Sequence, residues 1–172
     1  MSEQTFKVDG LTFSFVDDDW RVSKYDDWSF YQNRWKQMRN AIKAIDLLVC
    51  TSDGTTWFVE VKDYRRHRRI KTIDLADEVA AKVFDTLAAL LPARVNGDVA
   101  LEQHVAARAL AATKLRVVLH LEQPAKHSKL FPRAIDPANV QQKLRQQIKP
   151  IDAHPIVCEM SQMPSALPWK VQ

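Results

Sequence analysis

Residues 44–69, AIDLLVCTSDGTTWFVEVKDYRRHRR, limit the fold more than any other stretch of the chain. They predict a β-hairpin with one strand entered through Asp46, a turn at Thr51 to Thr55, and a return strand leaving through Glu60-Val61-Lys62. Leu47 and Val49 alternate with Leu48 and Cys50, so the first strand is apolar on both sides and belongs in the middle of a covered sheet. The return strand is rich in β-branched and aromatic residues, which suits a pleated, half-buried surface. Two turns compete for Ser52-Asp53-Gly54. A two-residue Asp-Gly loop pairs Ser52 with Thr55 and turns Asp46 away from Glu60. A three-residue loop, with Gly54 left-handed in a bulge, pairs Thr51 with Thr55, Leu48 with Phe58 and Asp46 with Glu60. Glycine at the position that needs positive φ favours the second. The choice matters because a slip of one residue sends every side chain to the other face.

In the bulged register Asp46 and Glu60 have Cβ atoms about 5 Å apart, and Lys62 follows on the same face. Like charges directly opposite destabilise a sheet, so a cation is expected between them. Mg²⁺, with Mn²⁺ as a substitute, fits a site of one or two carboxylates completed by waters and phosphate oxygens. Lys62 is too cationic to be a ligand and is suited to orienting a water or stabilising charge on a phosphate. An E-x-K strand end is also a common surface ion pair of little worth. Against that reading, Leu48, Cys50 and Phe58 share the face, and Asp46 interrupts an apolar run where it can meet Glu60.

Asp46, thirteen intervening residues, then Glu60-Val61-Lys62 resembles the signature of the PD-(D/E)XK, or restriction-endonuclease-like, nucleases. The resemblance implies that Asp46 and Glu60 bind Mg²⁺ with help from the backbone carbonyl of Val61, and that Lys62 is catalytic. Ile45 stands where the namesake proline would be, a position at which that family often lacks it. The resemblance also implies an α-β-β-β-α-β core and an acid on the preceding helix that completes the metal site. Asp26 and Asp27 are the only acids there, and Asp27, flanking the buried stripe, is the better candidate.

The other segments supply the frame. Phe6 to Phe15 predicts a hairpin turning at Asp9-Gly10. From Lys24 to Ala44, Trp28, Tyr31, Trp35, Met38 and Ile42 keep a 3-4 rhythm that predicts a helix started by Ser23 and Asp26. Leu75 to Leu91 predicts a helix with Asp74 as cap and Pro92 at its end, and Val99 to Ala112 a second one capped by Asp98. Leu115 to Leu121 is a buried strand on which His120 is more simply structural than functional. Residues 122–136 form a long connection whose length alone does not make it a flap over substrate. Asp136-Pro137 opens a helix to Ile148, Pro155 to Met160 is a last strand, and a tail over about 161–172 is expected on the surface. The fold class that follows is α/β, a mixed central sheet flanked by helices on both faces, in one domain of 172 residues.

Charge is distributed unevenly. The net charge is +4, yet Lys62, Arg65, Arg66, Arg68, Arg69 and Lys71 gather within ten positions beside the candidate site. Arg65, Arg66, Arg68, Arg69 and Lys71 are expected to contact phosphate, with DNA favoured over RNA as the partner. Cutting both strands would call for a homodimer. Neither Cys50 nor Cys158 has zinc-ligand spacing to histidine, and both read as buried apolar residues. No apolar run approaches a membrane span and the N-terminus lacks a signal-peptide pattern, which together point to the cytoplasm. The function expected is a metal-dependent nuclease, the alternative being an inactive nuclease-fold module that binds nucleic acid or a protein.

Overall fold

The computed structural model describes residues 3–124 and 134–172. Its centre is a five-stranded mixed sheet of β3 (Arg21–Lys24), β4 (Leu47–Cys50), β5 (Thr55–Asp63), β6 (Lys114–Glu122) and β7 (Ile156–Cys158), in that spatial order. β3, β4 and β5 form an antiparallel meander, and β6 and β7 continue it in parallel. A second sheet joins β1 (Gln4–Val8), β2 (Leu11–Phe15) and β8 (Lys170–Val171). The helices are the single-turn α1 (Ser29–Asn33), α2 (Leu75–Asn96), α3 (Ala100–Leu110) and α4 (Pro137–Ile148). The broad expectation of a mixed sheet with helices therefore holds.

The two faces of the central sheet are covered differently from the expectation of helices on both. Leu48, Cys50, Phe58, Val117, Leu119 and Leu121 face a core closed by α2, α3 and α4. The opposite face, with Leu47, Val49, Trp57, Val59, Val61 and Val118, is closed by the small sheet and the C-terminal segment. That segment is no surface tail: Leu167, Trp169 and Val171 are buried, and Trp169 meets Trp57 edge-on at 5.3 Å.

The helix expected over Lys24–Ala44 is the largest difference. Arg21–Lys24 instead pairs with Leu47–Cys50, and Tyr25 extends the ladder by donating its N–H to Asp46 O. Ser23 lies in this strand and accepts from Trp28 Nε1. Trp28 and Tyr31 of the stripe are buried as expected and Trp35 and Ile42 partly so, but Met38 is 68% exposed, and the segment folds through two 3-10 turns, Tyr25–Asp27 and Trp35–Gln37, on either side of α1. Aromatic and short polar residues are weak helix formers, and here tertiary contacts decide. Glu102 on α3 accepts from the N–H groups of both Ser29 and Phe30, so α1 is capped from outside.

Elsewhere the local signals and the structure agree closely. Asp74 and Asp136 cap α2 and α4 through Ala76 N and Ala138 N. α2 nevertheless runs through Pro92, with Ala89, Leu90 and Ala93 buried on both sides of it. Asp98 does not cap α3 but pairs with Arg34 at 3.2 Å. Most of the long connection, residues 125–133, lies outside the described residues. Both cysteines are free and buried, and among the described residues no helix is long and apolar enough to cross a membrane.

Candidate metal and phosphate site

The hairpin takes the bulged turn. Thr51 N donates to Thr55 O at 2.9 Å, Gly54 N donates to Thr51 O, and Gly54 has φ +79°. Leu47 pairs with Val59 and Leu48 with Phe58, so the next step back sets Asp46 opposite Glu60. β4 frays at this point, and the Asp46 carboxylate replaces the missing ladder bond by accepting from Val61 N at 2.7 Å. In a strand the N–H and C=O of one residue point the same way, so the Val61 carbonyl is on the Asp46 side of β5.

Glu60 is 1% exposed and Asp46 is half-buried. Burial, reinforced by Glu60, pushes the Asp46 carboxyl up to about 8. Lys62 Nζ lies 2.8 Å from Glu60 Oε1 and 3.5 Å from Glu78 Oε1. Burial works against the Lys62 ammonium, but the Glu60 and Glu78 carboxylates hold its pKa above the ordinary lysine value. The three residues of the sequence signature thus converge at one end of β5 on the helix-covered face.

Two further residues join them: Lys82, which sequence reasoning did not find, and Asp26, the lesser of its two candidate acids. Lys82 on α2 donates to Glu60 Oε1 at 2.5 Å. Asp26 follows directly on Tyr25, whose N–H is bonded to Asp46 O. Its carboxyl is pushed up by burial and by its neighbour Asp27, and Lys82 and Glu60 also act on it. Asp27, the better candidate from sequence, points elsewhere: its side chain is 63% exposed and pairs with Lys24 at 3.0 Å. Of the two candidate acids, Asp26 is therefore the one whose charge acts on Asp46, because the chain enters this region as a strand followed by a 3-10 turn and not as a long helix.

The basic run is only partly turned to solvent. The Arg65 guanidinium makes two bonds to the Asp63 carboxylate, at 2.8 and 2.6 Å. Arg69 and Lys71 both reach Glu78, each at 2.7 Å. Glu78 is completely buried, and although burial would raise its pKa, bonds from Lys71 and Arg69 and the charge of Lys62 hold it at about 2. Arg66 and Arg68 are exposed. Arg69 and Lys71 thus neutralise a buried acid beside the site, a role the run's composition does not reveal.

The donor set suits a hard divalent cation. Glu60 Oε2 and Asp26 Oδ1 are buried without a hydrogen-bond partner among the described residues. Buried polar atoms are nearly always satisfied, so oxygens left open in a carboxylate cluster are what an ion would complete. Among the described residues no three His, Cys, Asp or Glu side chains form a cage of their own. Mg²⁺ does not need one, since it commonly keeps several waters and takes one or two carboxylates.

His120 lies on the opposite face. It is 1% exposed, bonded to Glu122 Oε1 at 2.8 Å, and packed edge-on against Phe13. Cys158 Sγ is 3.8 Å from its Nδ1, and burial pushes that thiol up to about 12. This group is a satisfied structural cluster.

No family model matches the chain, and no solved structure matches it. A curated cysteine–tRNA ligase from Neisseria meningitidis serogroup A is 28% identical over 160 residues, a stretch that covers 76% of this chain. The matching region spans 23% of that ligase.

Proposed function

We propose that the chain is a metal-dependent nuclease of restriction-endonuclease-like fold that hydrolyses phosphodiester bonds, with DNA the favoured substrate. The observation that carries this reading is the hairpin register, which sets Asp46 against Glu60 with Lys62 on the same face. The order β3, β4, β5, α2, α3, β6 supports the β-β-β-α-β part of that core, with two helices in the place of one. The helix that would precede it is represented only by α1, which lies between β3 and β4. Asp46, Glu60 and the Val61 carbonyl would hold Mg²⁺, with waters and phosphate oxygens as its other donors. When bound, such an ion polarises the phosphate and lowers the pKa of its water.

The chain's own groups do the rest. Lys62, held between Glu60 and Glu78 in a nearly closed setting, presents a fixed positive charge where negative charge builds on a phosphate. The exposed arginines of residues 65–68 would position the backbone without reading sequence. The likeness to a tRNA ligase keeps RNA among the substrates to be tried. Incubated with Mg²⁺ and either nucleic acid, the wild type is expected to cut, and Asp46→Ala and Lys62→Ala are expected not to, with unchanged circular dichroism. Cutting that survives both changes rules the reading out.

One observation favours the inactive-module alternative. Glu60 Oε1 already accepts from two ammonium groups, which is how a site without an ion would be neutralised. A salt-dependent affinity for DNA with no Mg²⁺ effect and no cleavage would identify that state.

A further inference from the structure

Glu78 and Lys82 stand one turn apart on α2, so both project toward the end of β5. Glu60 is 1% exposed, and a charge buried that deeply needs a cation beside it. In this structure that cation is supplied twice, by Lys62 at 2.8 Å and Lys82 at 2.5 Å, both on Oε1. The two lysines are not equivalent. Lys62 has a second carboxylate, Glu78, to hold it if Glu60 is taken up elsewhere. Lys82 has an ion pair only with Glu60 among the described residues, and its charge also falls on Asp26 and Asp46. Its ammonium therefore sits on Glu60, whose Oε2 is left open, and acts on both neighbouring acids.

We infer that Lys82 is an internal competitor for the metal position: its ammonium neutralises Glu60 in the metal-free protein and leaves Glu60 Oε1 when a divalent cation binds. This rests on the nuclease reading above and adds a residue to it. A dication and two ammonium groups on one carboxylate repel strongly in a partly buried setting, and the group without a second anchor moves. The four-carbon stem gives Lys82 the reach to do so, and a displaced ammonium is free to meet a phosphate oxygen. Lys82 is thus a positioning residue that exchanges one anion for another.

The test is a Mn²⁺ titration followed by electron paramagnetic resonance, on the wild type, Lys82→Met and Glu60→Gln. Lys82→Met is expected to bind Mn²⁺ roughly tenfold tighter or more, since a like charge a few ångströms away has gone. Glu60→Gln is expected to lose the binding. Binding by Lys82→Met alone also supports the inference, with the wild type as the locked form. Equal or weaker binding by Lys82→Met, with clear wild-type binding, overturns the inference and leaves the nuclease reading standing. Binding that persists in Glu60→Gln overturns it as well, and no binding by any form overturns both. If Lys82→Met does not fold, the wild type answers alone. Its Lys82 side-chain resonances should shift on addition of Mg²⁺ while those of Lys143, paired with Asp74 at 2.8 Å, stay fixed. Mg²⁺ binding without that shift overturns the inference.

Discussion

Each face of the central sheet buries a group of ionisable side chains, and the two groups differ in what they leave open. Under the small sheet, the Glu122 carboxylate takes His120 Nε2 and Met160 N on one oxygen, and Cys158 closes the other side of the ring. Under the helices, Glu60, Asp46 and Asp26 crowd acids together, and the cations that offset them reach Glu60 Oε1 but not Oε2. The first arrangement is a closed account of donors and acceptors and the second is not. Burial of charge alone is therefore no guide to function; unbalanced burial is. A protein interior tolerates such an imbalance where a ligand resolves it.

The largest effect that would sharpen this contrast is on activity. Lys62→Ala is expected to lower Mg²⁺-dependent cleavage by about 10² to 10³, the usual scale for removing one charge-stabilising group. His120→Gln and Cys158→Ser, on the other face, are expected to leave the rate within about twofold in a folded sample, because neither touches the site. A gel assay of labelled DNA reads both, and a loss in Cys158→Ser equal to that in Lys62→Ala would break the contrast.

Stability comes next. Glu78 carries Arg69, Lys71 and Lys62 on one fully buried carboxylate. Glu78→Gln strands those cations, and a loss of about 3–5 kcal/mol is expected in urea unfolding. The pH dependence follows from the same group. Its carboxyl is held at about 2 against an ordinary 4.5, so its contribution is complete above about pH 4.5 and disappears as pH falls toward 2. Asp46 runs the other way. Its carboxyl is pushed up to about 8 from 3.8, so without metal the protein keeps a proton that the unfolded chain has released, and stability declines as pH rises from about 4 through 8. Urea midpoints between pH 3 and 9 should fall at both ends. Asp46→Asn should flatten the alkaline limb and leave the acid one.

The smallest effect concerns the turn that sets the register. Gly54 has φ +79°, and a Cβ there would lie 2.9 Å from Thr113 Oγ1. Gly54→Ala is expected to cost about 1–2 kcal/mol by thermal unfolding. A neutral change would argue against the bulged turn.

These contrasts show which parts of the molecule could be read in the sequence. The bulged turn was legible because it needs glycine at one position, and that requirement fixed the facing of Asp46, Glu60 and Lys62. The caps at Asp74 and Asp136-Pro137 were legible for the same reason, since each is a local demand met by a local residue. What escaped was set by distant partners. The 3-4 rhythm of Trp28, Tyr31 and Trp35 marks burial, but β4 claimed Arg21–Lys24 as a pairing strand, and Glu102 capped what remained from 73 residues beyond Ser29. The same shift exchanged Asp27 for Asp26. α2 outlasted Pro92 because burial of Ala89, Leu90 and Ala93 offsets the lost bond. Lys82 had a weak signal: a cation four residues after Glu78 and one before Val83, on the margin of the buried helix face.

The central claim is that the carboxylates of β4 and β5 share a divalent cation. Anomalous diffraction from a crystal soaked in Mn²⁺ tests it most directly. The account predicts one peak at about 2.1 Å from carboxylate oxygens of both Asp46 and Glu60. A peak confined to other residues, or none in crystals that cut DNA when dissolved, would contradict it.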